Sequence, residues 1–120
     1  MPARVVVVHD DASFLGDLVK ALDRAGYEVA AFPDTLGALA AITADERVAM
    51  MITRVTFPEG TPHGVSLALM ARLKRPNLII LFIARPEMVE HAEGVGEILH
   101  TPALAEDVVA KVREMLPLSD

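Results

Sequence analysis

Charged and titratable side chains follow two of the most apolar runs in this chain. The tripeptide His9-Asp10-Asp11 comes directly after four consecutive valines, and Arg54 comes directly after an apolar segment rich in Met and Ile. Carboxylates at such a point either start the next helix, through capping and the helix dipole, or supply negative charge to a crevice at the end of the strand. A guanidinium there can contact a carboxylate or a bound anion. The residues alone favour neither interpretation of the acidic pair.

Apolar runs and helical patterns alternate along the whole chain. Runs rich in Val, Ile, Leu and Met predict five strands, at residues 5–8, 27–32, 48–53, 78–83 and 97–100. Apolar residues at helical spacing predict five helices, at residues 10–25, 33–45, 65–74, 86–94 and 102–116. This alternation predicts an α/β fold in one domain over residues 1–120. We expect a flavodoxin-like, doubly wound, five-stranded parallel sheet in the order 2-1-3-4-5, with helices on both faces.

In such a sheet the functional crevice lies beyond the carboxyl ends of the strands. We therefore expect the candidate site residues just after strands one, three, four and five: His9, Asp10, Asp11, Arg54, Ile83, Ala84, Thr101 and Pro102. His9 and His100 are both expected on the crevice side. Two histidines and an aspartate from separate strands are a weak metal-binding pattern, so neither a metal nor a cofactor is predicted.

The composition argues against several classes of function. The net charge of −6 disfavours a nucleic-acid surface, which needs a basic patch. A chain without cysteine has no disulfide, thiolate metal site or thiol nucleophile, which fits a cytoplasmic protein. No apolar run reaches the roughly 18 residues of a membrane span, and neither a phosphate-binding glycine loop nor a serine-nucleophile motif occurs. Met50, Met51 and Met70 are interpreted as core residues rather than as a recognition surface.

The predicted strand ends resemble those of response-regulator receiver domains, over about residues 4–116. The matching segments are His9-Asp10-Asp11, Gly26-Tyr27-Glu28-Val29, Arg54-Val55-Thr56-Phe57-Pro58, Gly64, Ile83-Ala84 and Thr101-Pro102. Taken in the same order, the first three segments resemble the family's acidic cluster, its entry to strand two and its phosphorylation site. The last three resemble the start of helix three, a Thr/Ser-Ala pair and a Lys-Pro pair. The joint spacing carries the resemblance, since no one of these motifs is specific.

The resemblance implies an aspartate that accepts a phosphoryl group at the end of strand three. It also implies Mg²⁺ held by acidic side chains, and a hydroxyl and a lysine that contact the phosphoryl oxygens. This chain has Arg54, Ile83 and Thr101 at the positions of the aspartate, the hydroxyl and the lysine, and His9 replaces one acidic residue. No carboxylate occurs between residues 47 and 58, so a small shift in alignment supplies none. The resemblance therefore indicates a degenerate receiver, or pseudo-receiver.

Three classes of function remain open. The leading hypothesis is a phosphorylation-independent receiver-like signalling or protein-interaction module that is not an enzyme. It would bind a signalling protein or a second copy of itself, but no nucleic acid and no membrane, through a face with Met88, Val89 and Ile98. The alternative is an anion or small-molecule binding domain that uses the crevice around Arg54. An enzyme of the flavodoxin-like type is disfavoured, because no nucleophile, base and orienting group are found together.

Arg54 is expected to turn toward the acidic turn rather than into solvent. In the predicted fold its guanidinium reaches Asp10 or Asp11 after the neighbouring strand, in the space of the divalent cation that the resemblance implies. A bidentate pairing is expected, because the planar guanidinium suits it. An outward-facing Arg54 would form a pair worth at most about 1 kcal/mol.

Overall fold

Strands and helices alternate along the protein, whose structure is a computed structural model that describes residues 4–55, 57 and 64–118. The strands are β1 (Arg4–Val8), β2 (Glu28–Phe32), β3 (Val48–Arg54), β4 (Ile79–Ala84) and β5 (Glu97–His100). The helices are α1 (Ala12–Arg24), α2 (Thr35–Ala44), α3 (Gly64–Lys74), α4 (Val89–Ala92) and α5 (Ala105–Met115). A short 3₁₀ turn, Pro86–Met88, leads into α4.

The strands form one parallel sheet in the order β2-β1-β3-β4-β5, which confirms the predicted order. Successive side chains of a strand point to opposite faces, so the valines of β1 divide between two cores. Val6 and Val8 pack into the core under α2, α3 and α4, and Val5 and Val7 pack into the core under α1 and α5. Because helices cover both faces of the sheet, both sides of each central strand are buried, and the sequences of these strands are continuous apolar runs.

Local signals fix where the first helices begin and end. The Asp11 carboxylate accepts the backbone N–H groups of Ser13 and Phe14 at 3.0 and 3.1 Å, and it caps α1. Asp34 caps α2 in the same way. Gly26, just after α1, has φ +99°, a conformation that glycine adopts without strain. The two caps set where α1 and α2 begin, and Gly26 allows the chain to turn from the end of α1 toward β2.

Two expectations are corrected by the structure. The last helix begins at Ala105 rather than at residue 102, and Met70 is 40% exposed although we interpreted it as a core residue. The buried face of α3 is formed by Leu67, Ala68 and Ala71. Met50 and Met51 are fully buried, as expected. None of the described helices is long and apolar enough to cross a membrane.

Candidate functional site

The carboxyl ends of β1, β3, β4 and β5 surround a crevice at one edge of the sheet. The strand register places Val8 beside Thr53, and Arg54 beside Ile83. The crevice has a volume of about 260 Å³. It is lined by His9, Asp11, Arg54, Val55, Ile83, Ala84, Arg85, Met88 and Thr101. Most of the residues that we singled out after the four strands therefore meet in one cavity.

Arg54 turns inward and pairs with the acidic turn after β1. Its Nη1 donates a hydrogen bond to Asp10 Oδ1 at 2.5 Å, and the two side chains are 33% and 29% exposed. The contact uses one guanidinium nitrogen, not the two of the expected bidentate pairing. Partial burial acts to raise the pKa of Asp10, but the hydrogen bond and the charge of Arg54, with the Asp10 backbone, outweigh it. The pKa of Asp10 therefore lies below its usual range, and this side chain is a carboxylate at neutral pH.

Asp11 and His9 have different tasks from Asp10. The Asp11 carboxylate caps α1, while its backbone N–H donates to His9 Nδ1 at 3.0 Å. The His9 ring also packs on Phe14, with ring centroids 4.9 Å apart. Burial and the nearby charge of Arg54 lower the pKa of His9, against the opposing effect of the two aspartates. His9 is therefore neutral at pH 7, which matches its role as a hydrogen-bond acceptor at Nδ1.

The remaining candidates divide between two cavities. Ile83 is 5% exposed, and the backbone N–H of Thr101 donates to the Ala84 carbonyl at 2.9 Å. Pro102, which follows a cis peptide bond, lies with His100 in a second cavity beside α5 rather than in the crevice. The expectation that His100 shares the crevice with His9 is wrong, because His100 lines the cavity beside α5 and does not line the crevice.

A close approach of α3 fixes the end of β3. The Gly64 N–H donates to the Val55 carbonyl at 2.8 Å. A Cβ atom at residue 64 would lie 1.7 Å from the carbonyl oxygen of Arg54, so the position accepts only glycine. The hydroxyl of the fully buried Thr53 donates to that same carbonyl at 3.0 Å. The backbone of Arg54 is therefore held from two sides.

The comparison with known proteins concerns the chain as a whole. The chain is 30% identical over 118 residues to the response regulator receiver protein CpdR of Brucella abortus, a match that covers 94% of this chain and 96% of that protein. The chain belongs to the response regulator receiver family. No family model matches it.

Solved structures share the receiver fold. The chemotaxis protein CheY4 of Vibrio cholerae superposes with a TM-score of 0.82 at 25% identity, over 97% of this chain and 100% of that one. A structure of adenylate cyclase from Rhodopirellula baltica superposes with a TM-score of 0.85 at 24% identity, over 95% of this chain and 87% of that one, which shows a common fold alone. Receiver domains are signalling modules of two-component systems and generally are not enzymes.

Three residues that line this receiver's crevice were not among the predicted site residues: Val55, Arg85 and Met88. Arg85 directly follows β4, as Arg54 ends β3, and this position could have identified it. Its Nε lies 3.3 Å from Glu87, with both side chains exposed. Met88 lines the crevice although we assigned it to an interaction face. Among the described residues, no three His, Asp or Glu side chains lie close enough together to hold a metal ion.

Proposed function

We propose that this receiver domain acts in the cytoplasm as a protein-interaction module whose signalling does not depend on an aspartyl phosphate. The observation that carries the proposal is Arg54, which ends β3 where the family resemblance implies the phosphorylatable aspartate. A guanidinium stays protonated in proteins and is therefore not a nucleophile. No carboxylate lies between residues 47 and 58 to replace it.

The acidic turn does not fit a Mg²⁺ site. Mg²⁺ requires near-octahedral coordination by oxygen atoms, of which one or two are usually carboxylates. The Asp10 carboxylate already contacts the guanidinium of Arg54, and Asp11 Oδ1 accepts two backbone N–H groups. The positive charge beside Asp10 repels a second cation. Arg54 therefore supplies the counter-charge of this turn from within the chain.

The groups that would support a phosphoryl group also differ. Ile83, at the position of the family's hydroxyl, is apolar and nearly buried, and Thr101, at the position of its lysine, carries no charge. These differences favour a non-enzymatic module. Anion binding at Arg54, the alternative function, has less support, because each crevice guanidinium already has a carboxylate partner. Arg54 pairs with Asp10, and Arg85 lies beside Glu87. Asp11 adds a further negative charge to the crevice.

Phosphorylation in vitro tests the proposal. The chain is incubated with acetyl phosphate and Mg²⁺, beside a receiver domain that has an aspartate at the end of β3, and intact masses are measured. We expect the mass of this chain to stay unchanged while that of the control rises. Arg54→Asp alone should not restore the reaction, because Ile83 and Thr101 still lack the supporting contacts. A phosphoryl adduct that hydroxylamine removes from the unmutated chain would contradict the proposal.

Thermal unfolding gives a second readout. Millimolar Mg²⁺ should not raise the melting temperature of the unmutated chain, because a ligand stabilises only a state that binds it. An equal ionic strength of NaCl controls for screening. A rise specific to Mg²⁺ would show that the acidic turn accepts the ion despite Arg54.

The partner is proposed to be a signalling protein that docks on the face formed by α4, β5 and α5. Met88, Val89 and Ile98 are each half-buried there, and Met88 and Ile98 also pack against the core. A Met88→Glu, Val89→Glu variant should lose capture of the partner, because two carboxylates would enter an apolar contact. An exposed neighbour, Glu93→Lys, is the control for a general charge effect. Capture that survives the double substitution would show that another face is used.

A further inference from the structure

The outer surface of α2 and α3 carries almost no charge. All ten residues of α2 are uncharged, and its exposed positions are Leu36, Ala40, Thr43 and Ala44. In α3 the exposed positions are Ser66, Leu69, Met70, Leu73 and Lys74. Both sets recur every three or four residues, so each forms a stripe along one side of its helix. We call the two stripes together the α2–α3 face.

This face exposes large apolar side chains. Leu36 is 69% exposed, Leu69 53%, Met70 40% and Leu73 81%. These are four of the six large hydrophobic side chains that are exposed among the described residues, so the exposure is concentrated on one pair of helices. A helix that is apolar all round is normally covered, and a contiguous exposed apolar patch marks a contact site.

The two helices form one continuous surface. They pack side by side, and both contribute to the core on the same side of the sheet. Each follows a strand of the same parallel sheet and returns to the next strand, so the two helices run in the same direction. Their lengths are similar, at 10 and 11 residues. The exposed stripes therefore lie parallel and side by side.

The charges fit a second copy of this chain as the occupant. A two-fold contact joins one patch to itself, so the patch must be self-complementary. The whole chain has a net charge of −6, yet the centre of the α2–α3 face carries no charge. Two copies of this face can therefore lie against each other without repulsion between like charges in the centre. The exposed side of α1, in contrast, includes Asp17, Lys20, Asp23 and Arg24.

The ends of the face carry opposite charges. Asp34 caps the start of α2, while Lys74 ends α3 at the far end and lines a cavity there with Arg75 and Glu46. At that end Asp45 is already paired with Arg4 and Arg47. Lys74 and Arg75 outnumber Glu46 there. In an antiparallel two-fold arrangement, this end of one copy lies toward the Asp34 end of the other. We propose that the α2–α3 face is the contact between two copies of this chain, paired antiparallel. This inference does not depend on whether the crevice accepts a phosphoryl group.

Sedimentation velocity over a micromolar to millimolar concentration series tests the contact. We expect a reversible dimer that Leu73→Glu weakens by about tenfold or more, because the contact would bury an unpaired carboxylate. Leu104→Glu is the matched control, since Leu104 is also exposed, at 64%, but lies at the start of α5. It should leave the dissociation constant unchanged. Circular dichroism of each variant reports that the fold is retained.

Cysteine cross-linking tests the arrangement, because the chain has no natural cysteine. Ala40→Cys, in the middle of α2, should form a disulfide-linked dimer under mild oxidation, whereas Lys20→Cys on α1 should not. A monomer at all concentrations, or a dimer that Leu73→Glu leaves intact, would overturn the inference. A monomer that binds lipid vesicles through Leu73 would assign the face to a membrane instead and would also overturn it.

Discussion

The pairing of Arg54 with Asp10 makes a measurable contribution to stability. The contact is 2.5 Å long and about two thirds shielded from solvent, so we place its coupling energy at the upper end of exposed pairs, about 0.5–1 kcal/mol. A chain of 120 residues unfolds with an entropy of about 0.25 kcal/mol per kelvin. The pair therefore accounts for roughly 2–4 °C of the melting temperature.

A double-mutant cycle measures this coupling. Urea unfolding is recorded for the unmutated chain, Arg54→Met, Asp10→Asn and the double variant, and the non-additive part is the coupling. Arg54→Met alone should be the more harmful single change, because it leaves Asp10 and Asp11 side by side without a counter-charge. Molar salt should reduce the coupling, since both side chains are partly exposed.

The contribution of the Arg54–Asp10 pair to stability should be lost in acid. The folded state holds the pKa of Asp10 below its usual range, so the stabilisation is complete above the ordinary aspartate pKa of about 3.9 and is lost as the pH falls through the lowered folded pKa. The exposed pair Arg85–Glu87 is the control and should show a coupling near zero. A coupling at Arg54 no larger than that of this control, or one that persists in strong acid, would refute the inward ion pair.

Two further predictions concern contacts that hold the fold together, one beside the site and one at the opposite edge of the sheet. Gly64→Ala should destabilise the fold by at least about 2 kcal/mol, because the new Cβ would meet the Arg54 carbonyl. Gly16→Ala, in the open interior of α1, is the control and should stabilise the fold by about 0.5–1 kcal/mol. Equal effects of the two substitutions in urea unfolding would contradict the close approach at Gly64. Tyr27→Phe should cost about 1 kcal/mol, because the buried Tyr27 hydroxyl donates to the Leu116 carbonyl at 2.6 Å. Burial, opposed by the charge of Arg113, raises the pKa of Tyr27. The unmutated chain should therefore lose stability as the pH rises above about 10 and through the raised pKa, and Tyr27→Phe should not show this loss.

The sheet was predictable from the sequence, and the buried sides of the helices less so. Strands covered on both faces are apolar throughout, and the runs in β1, β3 and β4 have no other simple interpretation. In α3 the apolar residues cover nearly the whole circumference, so the helical period does not select a buried side. Small residues, Ala68 and Ala71, pack closely against the sheet there, and Leu73 remains outside.

The edge that carries the site was also predictable, but the sharing of tasks within it was not. Parallel strands must bring their carboxyl ends to one edge, which is enough to place Arg54 near the turn after β1. Sequence does not show that Asp11 caps α1 while Asp10 receives the guanidinium, because adjacent aspartates are chemically alike. That division depends on the direction in which each carboxylate points as the chain enters the helix.

Because Arg54 belongs to the chain, the counter-charge of the acidic turn cannot dissociate. A metal ion or a phosphoryl group comes and goes with its supply, whereas every copy of the chain carries Arg54, and Asp10 stays ionised at every pH above its lowered pKa. Under the proposed function, neither ligand shifts the population of conformations. Association then becomes the variable quantity, since occupancy of the partner face and of the α2–α3 face depends on concentration. Under that proposal, the domain responds to the amounts of its partners rather than to a kinase. The start of α3, a helix of the α2–α3 face, is in direct contact with the Arg54 backbone at Gly64.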